Sequence, residues 1–258
     1  MRNIVAGNWK SNKLINEGQE LIDALEKGIE NLHATEVIVA PPAPYLAHYA
    51  HKYSASDSIH FAAQQCSSNP MGANTGEYTA SMLKSCGVEH VIIGHSERRD
   101  RFGESYAVVQ AKVNESIAEG LRVLLCCGEP LEVRESKGHF DLITEQLKDA
   151  LQAIDSEQMG KIIIAYEPVW AIGTGVTASA EQAQEMHRFI RERIQEWYSA
   201  DIANATRILY GGSCKPSNAD EIFSQPDVNG GLIGGAALEA ESFLALIKAS
   251  ETAQSATK

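Results

Sequence analysis

The sequence offers no disulfide framework. Its five cysteines, Cys66, Cys86, Cys126, Cys127 and Cys214, are odd in number and contain no C-x-x-C pair, which also argues against a structural zinc site. They read as reduced thiols. Basic residues are scarce: 22 Lys and Arg stand against 34 Asp and Glu, a formal net charge of -12. Nucleic acid or an anionic membrane surface would need a basic face to neutralise its phosphates, so neither is expected as a partner. An anionic ligand must be caught locally. Long apolar runs are missing too, since even the stretch from Ile162 to Ile172 contains Glu167 and Pro168 and falls short of the ~18 residues that span a bilayer. The opening Met1 to Lys10 carries Asn8 and Lys10 within its short apolar run and is no signal peptide, so the expected location is cytoplasmic.

Cofactor signatures are equally sparse. There is no Walker loop and no nucleophile elbow. Gly173 to Ala178 fits G-x-G-x-x-A formally, but it lies several residues beyond a strand end and lacks the acidic partner of a dinucleotide site. His48 and His51 are one helical turn apart with no third ligand at suitable spacing, which reads as a solvated helix face. No metal and no cofactor is therefore expected.

What the chain does contain is an alternation. Eight short apolar runs occur, near Asn3 to Asn8, Val37 to Ala40, Ile59 to Ala63, Val91 to Gly94, Arg122 to Cys127, Ile162 to Glu167, Arg207 to Gly211 and Gly231 to Gly234. Between them, stripes at helical spacing recur: Leu21, Leu25, Ile29 and Leu32; Val109, Val113 and Ile117; Ala183, Met186, Ile190, Ile194 and Trp197. Helix starts are marked by Ser105, by Ser179 with Glu181, and by Lys215-Pro216-Ser217. Eight strand–helix units in a chain of this length predict an α/β fold, a closed (β/α)8 barrel of eight parallel strands each followed by a helix. One domain over residues 1–250 is expected, followed by a polar tail at 251–258.

In such a barrel the chemistry sits where strands end and βα loops begin. The first strand ends in Gly7-Asn8-Trp9-Lys10, offering an amide and an ammonium. The fourth is followed by Gly94-His95-Ser96-Glu97-Arg98-Arg99, and the sixth ends in Glu167-Pro168, a carboxylate on an apolar strand before a residue that cannot extend the ladder. Burial among apolar neighbours makes a carboxylate a stronger base than a solvated one. The apolar segment after it, Val169-Trp170-Ala171-Ile172-Gly173-Thr174-Gly175, suits a lid that closes over ligand. Tyr210 to Ser213 and Gly234 to Ala237 supply glycine turns at the last two strand ends, where a phosphate site recurs in this architecture. A carboxylate, an imidazole, a Lys and a phosphate cradle together point to proton transfer beside a carbonyl on a small phosphorylated substrate.

These stretches, with Gly72 to Glu77, Gly103-Glu104 and Cys126-Cys127-Gly128-Glu129, resemble the triosephosphate isomerases over residues 3 to 248, the family that gives the TIM barrel its name. The resemblance implies an intramolecular aldose–ketose isomerase of glycolysis and gluconeogenesis, interconverting dihydroxyacetone phosphate and glyceraldehyde 3-phosphate through an enediolate. It implies Glu167 as base, His95 as electrophile, Lys10 and Asn8 in the same site, and Glu97 in contact with Lys10. Gly173, Ser213, Gly234 and Gly235 would contact the phosphate, with Cys126 packed behind the base. The lid would comprise Pro168, Val169, Trp170, Ala171, Ile172, Gly173, Thr174, Gly175 and Val176. A homodimer is implied, in which Thr75, within the loop Met71 to Glu77, touches the partner's catalytic cluster.

Ser11, Gln65-Cys66, Val176 and Ala237 depart from the family pattern without removing a catalytic group. The missing hydroxyl at Ala237 leads to an expectation of looser phosphate binding. Two alternatives remain: another sugar-phosphate barrel enzyme, such as an aldolase, for which Lys10 is the one Schiff-base candidate, and a catalytically dead phosphate-binding barrel.

Overall fold

The computed structural model describes residues 2–172 and 177–256. Its strands are β1 (Asn3–Asn8), β2 (Thr35–Ala40), β3 (Ile59–Ala63), β4 (His90–Ile93), β5 (Arg122–Cys127), β6 (Ile162–Tyr166), β7 (Arg207–Tyr210) and β8 (Gly230–Ile233). They pair in sequence order, all parallel, and β8 returns to β1 to close an eight-stranded barrel. Closure removes every free sheet edge, so the strand backbones satisfy one another without solvent.

The helices outside the barrel are α1 (Ile15–Ile29), α2 (Ala43–Lys52), α3 (Ala80–Ser85), α4 (Ser96–Phe102), α5 (Tyr106–Ala118), α6 (Leu131–Glu135), α7 (His139–Leu151), α8 (Ala180–Trp197), α9 (Ala200–Ala205), α10 (Ala219–Phe223) and α11 (Ala240–Ala256). Among the described residues no helix is long and apolar enough to cross a membrane. The helical stripes read from the sequence face inward: Leu21, Leu25 and Ile29 on α1, Val109, Val113 and Ile117 on α5, and Ala183, Met186, Ile190 and Ile194 on α8 are buried.

Because strand side chains alternate, each strand feeds two cores. One face meets the helices in a large apolar shell. The other fills the barrel with twelve residues, among them Ile38, Ile92, Leu124, Cys126, Ile163, Leu209 and Leu232. That plug leaves no pore and separates the two mouths of the barrel.

Several boundaries differ from the sequence reading for local reasons. β2 starts two residues early, at Thr35, because Glu36 is buried inside the strand and paired with Arg122. At Ser179 the capping box is completed by Gln182, whose side chain accepts from the Ser179 N–H at 2.9 Å, rather than by Glu181. The helix expected after Lys215-Pro216-Ser217 begins only at Ala219, since Asn218 Oδ1 first takes the Lys215 N–H at 2.8 Å. The segment expected as a polar tail is largely helix: α11 runs to Ala256, and Glu251 accepts the backbone N–H groups of His33 and Ala34.

Candidate active site

Asn8, Lys10, His95, Glu97, Glu167, Ser213, Gly234 and Gly235 all line one cavity of about 850 Å³ at the carboxyl ends of the strands. At the end of β1, Asn8 is buried and its Oδ1 accepts the Lys10 N–H at 3.0 Å. Lys10 sits at φ 52°, a left-handed backbone that costs a non-glycine residue roughly 1–2 kcal/mol. Gln64, beyond β3, holds that conformation by donating to the Lys10 carbonyl at 2.8 Å and to the Ala40 carbonyl at 2.9 Å. The strained turn sends the Lys10 side chain across the mouth, where Nζ meets Glu97 Oε1 at 3.0 Å. Burial pushes the Glu97 carboxyl up, but the hydrogen bond and charge of Lys10 outweigh it and hold the group below its ordinary range.

His95 is the residue before α4, and its Nδ1 accepts the Glu97 backbone N–H at 3.1 Å. A nitrogen that accepts carries no proton, so the ring is the neutral tautomer with hydrogen on Nε2. Nε2 lies 3.1 Å from Glu167 Oε1, while Glu167 Oε2 accepts the Ser96 N–H at 2.9 Å. Glu167 is 2% exposed, and these two donors offset the loss of its water. It follows β6 directly, its own N–H reaching the Cys127 carbonyl at 2.7 Å.

Two glycines make room for the base. A Cβ on Gly128 would stand 1.9 Å from the Glu167 carbonyl oxygen, and one on Gly211 would stand 2.9 Å from Glu167 Cγ. Gln146 of α7 clamps Gly128 at both ends, accepting its N–H and donating to its carbonyl, each at 2.9 Å. Cys126 lies fully buried in the barrel plug beneath the site, and burial pushes its thiol well above the ordinary range.

Of the expected lid, Pro168 to Ile172 is described, whereas Gly173, Thr174, Gly175 and Val176 lie outside the described residues. The described half is bolted to Glu129. Its Oε1 accepts Tyr166 Oη–H at 2.9 Å and Trp170 Nε1–H at 3.0 Å, and its carbonyl accepts the Val169 N–H at 3.1 Å. Val169 and Ile172 line the cavity and supply its apolar wall.

The glycine turns after β7 and β8 line the cavity beside Glu167 and Lys10, and a Cβ on Gly234 would lie 3.5 Å from Lys10 Cε. Ala237 does not reach the cavity. It is fully buried behind the turn, where its Cβ backs onto Gly7 of β1, so the looser phosphate binding expected there has no structural basis. Cys214 is also buried, and burial pushes its thiol up to about 12. Thr75 is exposed and lies outside this chain's own cavity.

Sequence reasoning passed over Gln64, Gln146 and the anchoring role of Glu129. All three act through bonds between residues 18 to 54 positions apart, and a polar side chain in the sequence carries no sign of such a partner.

A fully closed barrel with acid–base groups and glycine turns gathered at one mouth defines a (β/α)8-barrel enzyme. The family model described as triosephosphate isomerase matches residues 3–250. Proteins named triosephosphate isomerase from Flavobacterium psychrophilum and Flavobacterium johnsoniae are each 50% identical to it, covering 95% and 96% of this chain and 97% and 99% of their own lengths. One from Porphyromonas gingivalis is 46% identical over 96% of this chain and 99% of its own. The chain belongs to the triosephosphate isomerase family. Its activity is the interconversion of dihydroxyacetone phosphate and glyceraldehyde 3-phosphate.

Proposed function

We propose that Glu167, His95, Lys10, Asn8 and Glu97 carry this isomerisation, with Gly173, Ser213, Gly234 and Gly235 receiving the phosphate and residues 168–176 acting as the lid. The observation that supports these roles best is the seat of Glu167, a buried carboxylate facing a His95 ring whose tautomer is set by the Glu97 N–H. A carboxylate opposite a neutral imidazole is the pairing for which triosephosphate isomerases are the reference example.

The proton transfer divides among these groups by their chemistry. Glu167 removes a proton from the carbon next to the carbonyl, and the electron pair left behind moves onto the carbonyl oxygen. Neutral His95 donates from Nε2 to the oxygen that gains charge, and the Lys10 ammonium supplies a fixed positive potential beside it. Glu97 keeps that ammonium in place and Asn8 keeps the turn that presents it. His95 passes its Nε2 proton to the former carbonyl oxygen and takes the hydroxyl proton from the adjacent oxygen in return, while Glu167 returns its proton to the former carbonyl carbon as the adjacent oxygen becomes the new carbonyl, which completes the exchange of aldehyde and ketone without a cofactor or metal. The lid keeps water from the enediolate and suppresses loss of its phosphate.

The working form is a homodimer in which the loop 71–77 reaches the partner, Thr75 first. Supporting this, the single chain leaves Met71 68%, Phe102 67% and Met82 43% exposed, apolar side chains of a kind that association would cover. Residues 1–250 act as one folding unit, and the enzyme works in the cytoplasm with its five thiols free.

Isomerisation of glyceraldehyde 3-phosphate by the purified protein and by Glu167→Gln tests the base. A loss of at least a hundredfold in kcat with an unchanged fold supports it; retention of activity in the variant overturns it. Sedimentation of wild type and Thr75→Arg tests the dimer, a monomeric wild type being the contrary result.

A further inference from the structure

The plug of the barrel ends, on the side away from the active site, in a charged layer. Strand alternation puts Arg2, Glu36, His60, His90, Arg122 and Arg207 on the inward face, each two residues before an apolar plug residue of its strand: Ile4, Ile38, Ala62, Ile92, Leu124 and Leu209. A cavity of about 310 Å³ opens there, lined by Arg2, Glu36, His60, Lys84, Glu89 and Arg122 together with Gly120.

Its charges do not balance. Glu36 is paired with Arg122, and Glu89 lies 2.7 Å from His60 Nδ1. Arg2 and Lys84 have no carboxylate partner among the described residues, and Arg207 Nε donates only to the Arg2 carbonyl, at 2.9 Å. Burial together with the nearby charges of Arg122 and Arg2 pushes the Arg207 guanidinium below its ordinary range. Three cationic side chains, Arg2, Lys84 and Arg122, thus line the cavity with two carboxylates, and Arg207 stands beside Arg2, on a protein whose net charge is -12.

His90, 1% exposed, packs edge-on to His60 with ring centroids 5.8 Å apart. Its Nε2 lies 2.9 Å from Arg122 Nη1, which can only donate, and 3.4 Å from Glu36 Oε1. Its Nδ1 is a buried nitrogen with no hydrogen-bond partner. His90 stands behind the wall of the cavity in contact with His60, which lines it, so both rings report on a charge bound there. We propose that this cavity binds a small, doubly charged tetrahedral oxyanion, a phosphate group held by Arg2, Lys84 and Arg122, at a site separate from the catalytic cavity.

The test is a titration of the intact protein at constant ionic strength, following the imidazole NMR signals of His60 and His90 for the new site and competitive inhibition of isomerisation for the catalytic one. Inorganic phosphate and glycerol 3-phosphate are compared, with chloride as control. The expected result is saturable movement of both signals with either phosphate and not with chloride. Tighter binding of the monoester identifies a phosphorylated metabolite as the ligand, and equal binding identifies free phosphate. Arg2→Gln with Lys84→Gln, at exposed positions without ionic partners, should weaken this binding at least tenfold while leaving kcat/KM and phosphate inhibition unchanged. His60 and His90 signals that stay still, follow chloride equally, or respond identically in the double variant would overturn the proposal.

Discussion

The Nε2 hydrogen of His95 points at Glu167 Oε1 across 3.1 Å because the other ring nitrogen is occupied by the Glu97 backbone N–H. The turn that begins α4 therefore decides which proton the site can offer. A His at this place is a donor by virtue of backbone geometry and needs no charge to be one.

His95→Gln follows from that relationship. An amide can donate from the same region but is not held by the Glu97 N–H in one orientation. Steady-state kinetics should show kcat reduced by about 10² to 10³, with KM changed much less, since the donor acts on charge that develops after binding. A variant with wild-type kcat would remove His95 from the reaction.

The Trp170 indole donates to Glu129 Oε1, as the Tyr166 hydroxyl does. Trp170→Phe keeps an aromatic side chain at the position and deletes the bond, which should cost about 1–2 kcal/mol of lid ordering. A less well-held lid admits water to the enediolate, so the share of turnover ending as free inorganic phosphate should rise. Phosphate release assayed beside isomerisation checks this.

Gly128→Ala places a methyl group 1.9 Å from the Glu167 carbonyl oxygen, in a segment that Gln146 holds at both ends. Neither side can move away without breaking hydrogen bonds, so the variant should lose about 3 kcal/mol or more of stability and most of its activity. Gly160→Ala is the control: nothing lies within 4 Å of its added Cβ, and urea denaturation should place it within about 0.5 kcal/mol of wild type.

His187 is fully buried between Tyr166 and Tyr210, and burial pushes its imidazole down to about 4 from an ordinary 6.5. Below its ordinary pKa the unfolded chain binds a proton that the folded chain refuses, so stability falls as pH drops from 6.5 toward 4. This one group should remove about 2 kcal/mol between pH 7 and pH 5. Denaturation curves at the two pH values should show the loss in wild type and a smaller one in His187→Gln.

The repeating apolar runs and the stripes on α1, α5 and α8 were enough to read the strand–helix alternation, because strand and helix periodicity are local properties of the chain. The carbonyl-end chemistry was legible for the same reason. Asn8, His95 and Glu167 each stand where an apolar run stops, and a polar group at the end of a buried strand has few other uses. What sequence could not show is anything that depends on two distant segments meeting. The clamp of Gln146 on Gly128, the grip of Gln64 on the Lys10 turn and the seat of the lid on Glu129 are long-range bonds. Ala237 shows the same limit from the other side, since a position in a glycine turn proves to face Gly7 and not the cavity. The charged layer around His90 stayed hidden because its six residues are scattered over as many strands or strand approaches. Only closure of the barrel, which brings the start of every strand to one mouth, puts their charges close enough to act on each other.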